Sequence, residues 1–252
     1  MSEGVSMRYP LRGDTEVNSR VGIILPTYCE APNIERLITE IESLPLNTSI
    51  LVIDDSSTDG TADVVKEMQK RFPNILLFVR PQKSGLGTAI TDGFRIFLAL
   101  KHKPQFVVTM DADYSHNPRD LPRLVANMSD DCDLVVGSRY VKGGKTQGWP
   151  YTRKIISRSA NAIARSVLGL QLRDCTSGFR CYSTNFLSEI INYLHSHTYD
   201  IQIETIKQAH SKGFMVREEP VLFVNRKRGK SKLTLLEIKS YLTYIVKTVL
   251  HD

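Results

Sequence analysis

The sequence predicts an α/β fold, a mostly parallel sheet flanked by helices, with an amphipathic helix at its C-terminal end. Three observations predict it. Short apolar runs alternate with amphipathic segments of about 10–15 residues, the pattern of βαβ units. Polar and charged clusters follow directly on several apolar runs, where strands would open into loops. The chain has 252 residues, enough for one large domain with an appendage.

Taken in order, residues 1–20 are polar, lack an apolar signal core and read as a flexible lead without a secretory signal. A single domain is expected over 21–232. Val21 to Leu25 reads as a strand, and Asn33 to Leu44 as a helix with Ile34, Leu37, Ile38 and Ile41 on one face. Ile50 to Ile53 is a second strand that ends in Asp54-Asp55, and Asp59-Gly60 turns the chain into a helix over Thr61 to Phe72. Ile75 to Val79 is a third strand, Gly85 to Leu100 a helix, Phe106 to Met110 a fourth strand, Asp120 to Met128 a helix and Leu134 to Val136 a fifth strand. A helical stretch over Tyr151 to Leu168 follows, then helices near Phe186 to His195 and Ile201 to Ser211, and a strand over Val221 to Val224. Residues 233–252 form the closing amphipathic helix, with Leu235, Ile238, Leu242, Ile245 and Val249 along one face. It can rest on its own domain or on a membrane, and the sequence leaves both open.

Right-handed crossovers put the C-terminal ends of parallel strands on one edge, where ligands bind in such sheets. Pro26 to Glu30, Asp54-Asp55, Asp111 to Asp113 and Ser138-Arg139 each follow a strand run. They are therefore expected at one rim.

Composition narrows the ligand. Hydrophobic content is 41%, charged content 24% and net charge +6. That charge suits phosphate-bearing ligands or an anionic membrane and is too small to indicate nucleic acid. Cys29, Cys132, Cys175 and Cys181 form no CxxC pair, which disfavours zinc and fits reduced cytosolic thiols. No stretch reaches the roughly 20 apolar residues of a membrane span, so a soluble or peripheral chain is expected. Gly85-Leu86-Gly87 is not GxGxxG, and no GxxxxGK[ST] is present, so a bound phosphate is expected to lean on a metal and cationic side chains.

The metal candidate is Asp111-Ala112-Asp113. Two carboxylates two residues apart can grip one divalent cation, which in turn can hold a diphosphate. Alone the tripeptide also fits a plain turn, and Asp54-Asp55 also fits a helix-capping turn. His116 follows the acidic motif and is expected at the surface. Arg158 and Arg165 read as a solvated helix face. The basic run Arg226-Lys227-Arg228…Lys230-Ser231-Lys232 fits a solvated turn, a nucleic-acid patch or a ligand contact.

Together these motifs resemble the GT-A family 2 glycosyltransferases, and within them the dolichol-phosphate (polyprenol-phosphate) mannose synthases. The residues that carry the resemblance are Pro26-Thr27-Tyr28-Cys29-Glu30, Val52 to Ser57, Gly85-Leu86-Gly87-Thr88-Ala89, Asp111-Ala112-Asp113, Gly137-Ser138-Arg139-Tyr140, Thr176-Ser177-Gly178-Phe179-Arg180 and Arg226…Ser231-Lys232. They run from about Arg20 to Lys232. The resemblance implies a GT-A fold, Rossmann-like in its sheet. It implies that Pro26, Tyr28, Glu30, Ile53, Asp55 and Gly85 hold the donor nucleotide. Asp111 and Asp113 would hold Mg²⁺ or Mn²⁺. Arg139, Arg153 and Ser157 would hold the acceptor phosphate, and Arg226 and Lys232 would close on the donor diphosphate from a mobile loop. Asp113, Arg139, Arg226 and Lys232 would be the catalytic groups. Some relatives carry Gln where this chain has Ser115, which implies more water around the metal.

The implied reaction is transfer of mannose from GDP-mannose to dolichyl or polyprenyl phosphate with inversion. The implied place is the cytosolic face of a membrane, the endoplasmic reticulum in a eukaryote or the plasma membrane in a prokaryote. This chain resembles the form without transmembrane segments, which in some systems relies on small membrane subunits. Three other readings stay open: transfer from UDP-glucose or another nucleotide sugar to the same lipid, a non-catalytic scaffold of the same fold, and a nucleotidyltransferase. The last lacks its usual Gly-rich N-terminal signature here.

Overall fold

The structure, a computed structural model, describes residues 10–129 and 131–226. Lys232, the helix expected over 233–252 and the first part of the lead lie outside the described residues.

The apolar runs form strands where the sequence places them, with each end within two residues of the expected one. β1 (Val21–Thr27), β2 (Thr48–Asp54), β3 (Ile75–Val79), β4 (Phe106–Thr109) and β5 (Leu134–Ser138) alternate with α1 (Ala31–Glu42), α2 (Thr61–Arg71), α3 (Leu86–Ala99) and α4 (Leu121–Ala126). Beyond them come β6 (Lys145–Gln147), α5 (Tyr151–Leu168), β7 (Arg180–Ser183), α6 (Thr184–Ile190), α7 (Ile201–Ser211), β8 (Val216–Pro220) and β9 (Leu222–Val224). Among the described residues the main sheet has seven strands in the order β3-β2-β1-β4-β7-β5-β8, and β6 pairs with β9 apart from it.

β1 pairs in parallel with β2 and β4, β2 with β3, and β5 with β8, whereas β7 runs antiparallel between β4 and β5. The reversed strand matters for the site. Its first residue, Arg180, lies opposite Thr109 and Val136, so the segment leading into it arrives at the rim where β4 and β5 end.

Alternation along the strands feeds two cores. Ile24, Leu51, Ile53, Leu76 and Val107 face α3, α6 and α7 on one side. Ile23, Leu25, Ile50, Val52 and Val108 face α1, α2 and α4 on the other. Each fully buried aliphatic chain contributes roughly 1.5–3 kcal/mol, so burial on both faces holds the strand ends in register. The thiols of Cys132, Cys175 and Cys181 are buried and free, and Cys29 is exposed.

Three strands depart from expectation. β7 is short and opens on a charged residue, β8 reads Val-Arg-Glu-Glu-Pro at a sheet edge, and β6 is three polar residues. None has the apolar run that marks a buried strand. Residues 10–20, expected as flexible lead, are tied down: Arg12 and Leu77 exchange backbone hydrogen bonds of 2.9 Å in both directions, and Lys101 pairs with Glu16 at 2.8 Å. The physical reason is that β3 is an edge strand whose free backbone groups recruit a partner.

Arg180 locks the reversed strand. It is fully buried, and its guanidinium donates to the carbonyls of Ser177, Cys175 and Gln202 and to the Thr205 hydroxyl. Replacing it removes every donor and leaves buried acceptors unpaired. Arg180→Met should therefore cost at least about 3 kcal/mol, since one hydrogen bond to a charged group contributes roughly 1.5–3 kcal/mol. Urea unfolding measures it, and a loss under 1 kcal/mol would contradict this role.

Candidate active site

Among the described residues, the loops that leave β1, β2 and β4 carry the positive-φ residues other than glycine: Cys29 (58°), Ser56 (54°) and Tyr114 (62°). Side chains seldom adopt this region, at a cost of about 1–3 kcal/mol each, so neighbouring bonds must hold them. Cys29 N–H donates to Ser57 Oγ at 2.8 Å, and Ser56 Oγ donates to the Arg80 carbonyl at 2.5 Å. Asp59 accepts from the N–H groups of Ala31 and Thr61 and thereby joins the starts of α1 and α2.

The adjacent aspartates after β2 divide their work. Asp54 is buried and accepts from Thr27 Oγ1 at 2.8 Å and from Ser57 Oγ at 2.6 Å, so it staples two loops together. Asp55 turns towards Arg80 in a close ion pair. Burial pushes its carboxyl above the usual carboxylate range, and Arg80 opposes that shift. Arg80 also donates to Thr88 Oγ1 at 2.7 Å and to the Gly85 carbonyl at 3.0 Å.

A cleft opens beside this pair. Five of the residues expected to hold a nucleotide line it: Pro26, Tyr28, Ile53, Asp55 and Gly85. Glu30 does not. Its carboxylate accepts from Asn33 and its N–H donates to Thr61, so it shapes the β1–α1 turn. Lys83, Thr198 and Tyr199 also line the cleft and were missed from sequence. Lys83 lies 4.3 Å over the Tyr28 ring, and the other two come from a loop more than 100 residues away in the chain. The glycines explain how that loop gets close. A Cβ on Gly85, whose φ is +99°, would sit 2.3 Å from the His197 carbonyl, and one on Gly87 2.5 Å from the Ser196 carbonyl.

The acidic motif sits at the end of β4. The Asp111 side chain is 37% exposed and Asp113 is 6% exposed. Asp113 accepts from the backbone and hydroxyl of Ser115 and pairs with Arg226 at 3.0 Å. Burial alone would raise its pKa; the Ser115 bonds and Arg226 outweigh burial and hold the carboxyl below its ordinary value. His116 is buried, not at the surface as expected, stacked on Phe179 at 4.9 Å. Its Nδ1 accepts from the Asp111 N–H at 3.1 Å, which assigns the ring proton to Nε2. Burial pushes the imidazole below the ordinary histidine pKa, against the nearby charges of Asp111 and Asp113. Gly178 adjoins Asp111 and offers its carbonyl to Thr109.

The donor set here is hard carboxylate oxygen, which fits a divalent cation of the Mg²⁺ or Mn²⁺ kind. Among the described residues no group of three or more His, Cys, Asp or Glu is arranged to hold a metal. Two aspartates alone would supply only part of a cation's coordination shell.

Basic residues face the acidic motif. Arg139 is buried and grips Asp174 through Nε and Nη2, both at 2.7 Å. Burial would raise the Asp174 pKa, and Arg139 outweighs it, so the carboxyl titrates below its usual range. Arg153 lies 4.3 Å over Trp149 and donates to Asn225 at 3.0 Å; burial and the charges of Arg226 and Arg139 depress its pKa. Ser157 Oγ accepts from the Tyr140 hydroxyl at 2.8 Å. Arg158 and Arg165 are exposed, as expected. So are Tyr151, Ile155, Ile156, Ile163 and Val167, an apolar stripe along α5. Asp174, Lys83 and Arg80 had no sequence signal beyond their charge.

The glycosyl transferase family 2 model matches residues 22–191 of the chain. Polyprenol monophosphomannose synthase of Mycolicibacterium smegmatis is 36% identical over 217 residues, 85% of this chain and 81% of that protein. Undecaprenyl-phosphate mannosyltransferase of Micrococcus luteus is 37% identical over 216 residues, 85% and 88% of the two chains. Among solved structures, a mannosyltransferase from Pyrobaculum calidifontis in complex with GDP-mannose and Mn²⁺ is similar at a TM-score of 0.63 and 18% identity, covering 98% of this chain and 68% of that one. Glucosyl-3-phosphoglycerate synthase of Mycobacterium tuberculosis with Mn²⁺ and UDP is similar at 0.64 and 20%, covering 94% and 81%. These two likenesses bear out the GT-A fold.

The Arg139–Asp174 pair yields a prediction. A depressed folded pKa contributes stability above the unfolded value, about pH 4, and that contribution fades as pH falls through the folded value. Asp174→Asn leaves a buried guanidinium uncompensated and should cost about 3 kcal/mol near neutral pH. Its stability should also fall less steeply than the wild type's between about pH 5 and pH 2. Denaturation curves across that range measure both, and parallel pH profiles would contradict the pairing.

Proposed function

The chain belongs to glycosyl transferase family 2, and from that premise we propose that it transfers mannose from GDP-mannose to a polyprenyl phosphate, with inversion at the anomeric carbon. The observation that carries this reading is the meeting of the acidic motif with the basic cluster, Asp113 to Arg226 at 3.0 Å, on the same rim of the sheet as the cleft lined by Pro26, Tyr28, Ile53, Asp55 and Gly85. The names of the two curated relatives support the sugar and the lipid phosphate. The GDP-mannose complex of the Pyrobaculum enzyme supports the donor.

The chemistry follows from charge. The acceptor is a phosphate monoester, already anionic near neutral pH, so it needs no strong general base. It needs cations that bring one anion beside another. Arg153 is the group we assign to this, since a guanidinium meets phosphate through two parallel bonds, while Arg139, whose Nε and Nη2 are held by Asp174, adds positive charge beside it. An oxygen of the acceptor phosphate attacks the anomeric carbon, the bond from that carbon to the GDP oxygen breaks, and GDP leaves with the electron pair. Pro26, Tyr28, Ile53, Asp55 and Gly85 hold the nucleotide, and Arg226 and Lys232 answer the charge growing on the diphosphate. Asp111 and Asp113 would hold a divalent cation, whose charge would offset that developing on the diphosphate leaving group. Glu30 acts at one remove, by fixing the turn that presents Tyr28.

The lipid must be reached from the membrane surface. Among the described residues no helix is long and apolar enough to cross a membrane. The exposed apolar stripe of α5, flanked by Arg158 and Arg165, can lie in the headgroup region of the cytosolic leaflet, with the expected C-terminal helix as a second contact.

Purified protein with Mn²⁺ or Mg²⁺, polyprenyl phosphate and either GDP-mannose or UDP-glucose tests the reading. Mannolipid from GDP-mannose alone is expected, lost on chelation and restored by the metal. Glucolipid from UDP-glucose would overturn the donor assignment. Asp113→Ala should lower turnover by at least about 10²-fold, the scale of losing one preorganised charge group, with an unchanged circular dichroism spectrum. Unaltered turnover in that variant would sink the role of the acidic motif.

A further inference from the structure

Trp149 is the chain's single tryptophan, and it lies between β6 and α5. Its ring is buried at 7% exposure. Phe223 packs edge-on against it at 5.2 Å. Two guanidinium groups lie against this ring, Arg153 at 4.3 Å and Arg139 at 5.3 Å from its centroid. Two cations on one ring repel each other, and the π face offsets part of that repulsion. Arg139 also has Asp174 as counter-charge, whereas Arg153 hydrogen-bonds the neutral amide of Asn225.

The indole Nε1–H has no hydrogen-bond partner among the described residues. Buried donors are nearly always paired, and one that is not asks for a ligand. Cationic groups gather around the same ring. Arg153 and Ser157 are one helical turn apart on the same face of α5, and Arg226 lies close enough to Arg153 to depress its pKa. Cationic groups and an orphaned N–H around one aromatic plate form a receptor for a tetrahedral oxyanion.

We infer that Trp149 is a binding residue for the acceptor's phosphate: its Nε1–H donates to a phosphate oxygen, and its face is the plate that sets Arg139 and Arg153 around that group. The inference rests on the polyprenyl-phosphate reading above and adds to it a contact that the arginines and Ser157 do not supply. It explains why an indole stands where a phenylalanine would stack as well and leave no donor unpaired.

Trp149→Phe tests it, because the ring stays and only the N–H is lost. The KM for undecaprenyl phosphate should rise about tenfold, the effect of one hydrogen bond to a charged group. The KM for GDP-mannose and kcat should stay within twofold. Trp149→Leu removes the plate as well and should raise the acceptor KM further. A second measurement needs no turnover and no variant. As the single tryptophan, Trp149 should change its emission when undecaprenyl phosphate in detergent micelles is added to the full chain, and not when undecaprenol in the same micelles is added. An unchanged acceptor KM in Trp149→Phe, or equal emission changes with the phosphate and the alcohol, would overturn the inference. If the wild type transfers no mannose yet its emission responds to the phosphate alone, the phosphate contact stands and the mannosyl-transfer reading fails.

Discussion

Opposite charges at the rim of the sheet hold this molecule's functional end together. Asp113 comes from the loop after β4 and Arg226 from the segment after β9, and they meet at 3.0 Å with little exposure to water. At an effective dielectric of 20, charges this close interact by about 5 kcal/mol before desolvation. Desolvation offsets much of that, and the pair spans two chain segments more than 100 residues apart. The Val224 N–H also donates to the Ser115 carbonyl at 3.0 Å, so backbone and side chains fasten the basic segment to the acidic loop together. Everything proposed for the site depends on that junction, since it brings Arg226, with Arg153 close by, to the acidic motif.

The surrounding scaffold is built to keep these charges in place. Arg139 is neutralised by Asp174, Arg80 by Asp55, and Asp113 by Ser115 and Arg226. A buried charge without such partners is strongly destabilising. Arg180 has no carboxylate of its own among the described residues and is satisfied by carbonyls, which fixes the strand that carries Gly178 towards Asp111. The positive-φ residues after β1, β2 and β4 lie in these same loops. Backbone strain and charge density therefore coincide at one edge, as expected of a site held in shape by the rest of the fold.

Much of this was legible in the sequence because its signals are periodic or local. The alternation of apolar runs and amphipathic segments located β1 to β5 and α1 to α4 within a few residues, since burial on both faces of a sheet demands those runs. The polar clusters after the strands located the rim, because parallel strands end on one side. The missed strands have no such signal: β7 begins with Arg180, and β8 is an edge strand whose sequence is mostly charged. The partners were also invisible. Asp174 lies 35 residues from Arg139, and nothing in either residue type announces the pairing. His116 was misplaced because a histidine after two aspartates reads as solvated, whereas Phe179 and Phe223, distant in sequence, enclose it.

The claim that most of the account rests on is that the rim is a joint site for a metal and a nucleoside diphosphate. Calorimetric titration of GDP into the full chain, with and without Mn²⁺, addresses it directly and needs no acceptor. The account predicts that Mn²⁺ tightens GDP binding at least about tenfold and that Asp111→Asn, a change at a half-exposed side chain, removes the Mn²⁺ effect while leaving weaker metal-free binding. Equal GDP affinity with and without Mn²⁺ in the wild type would contradict it.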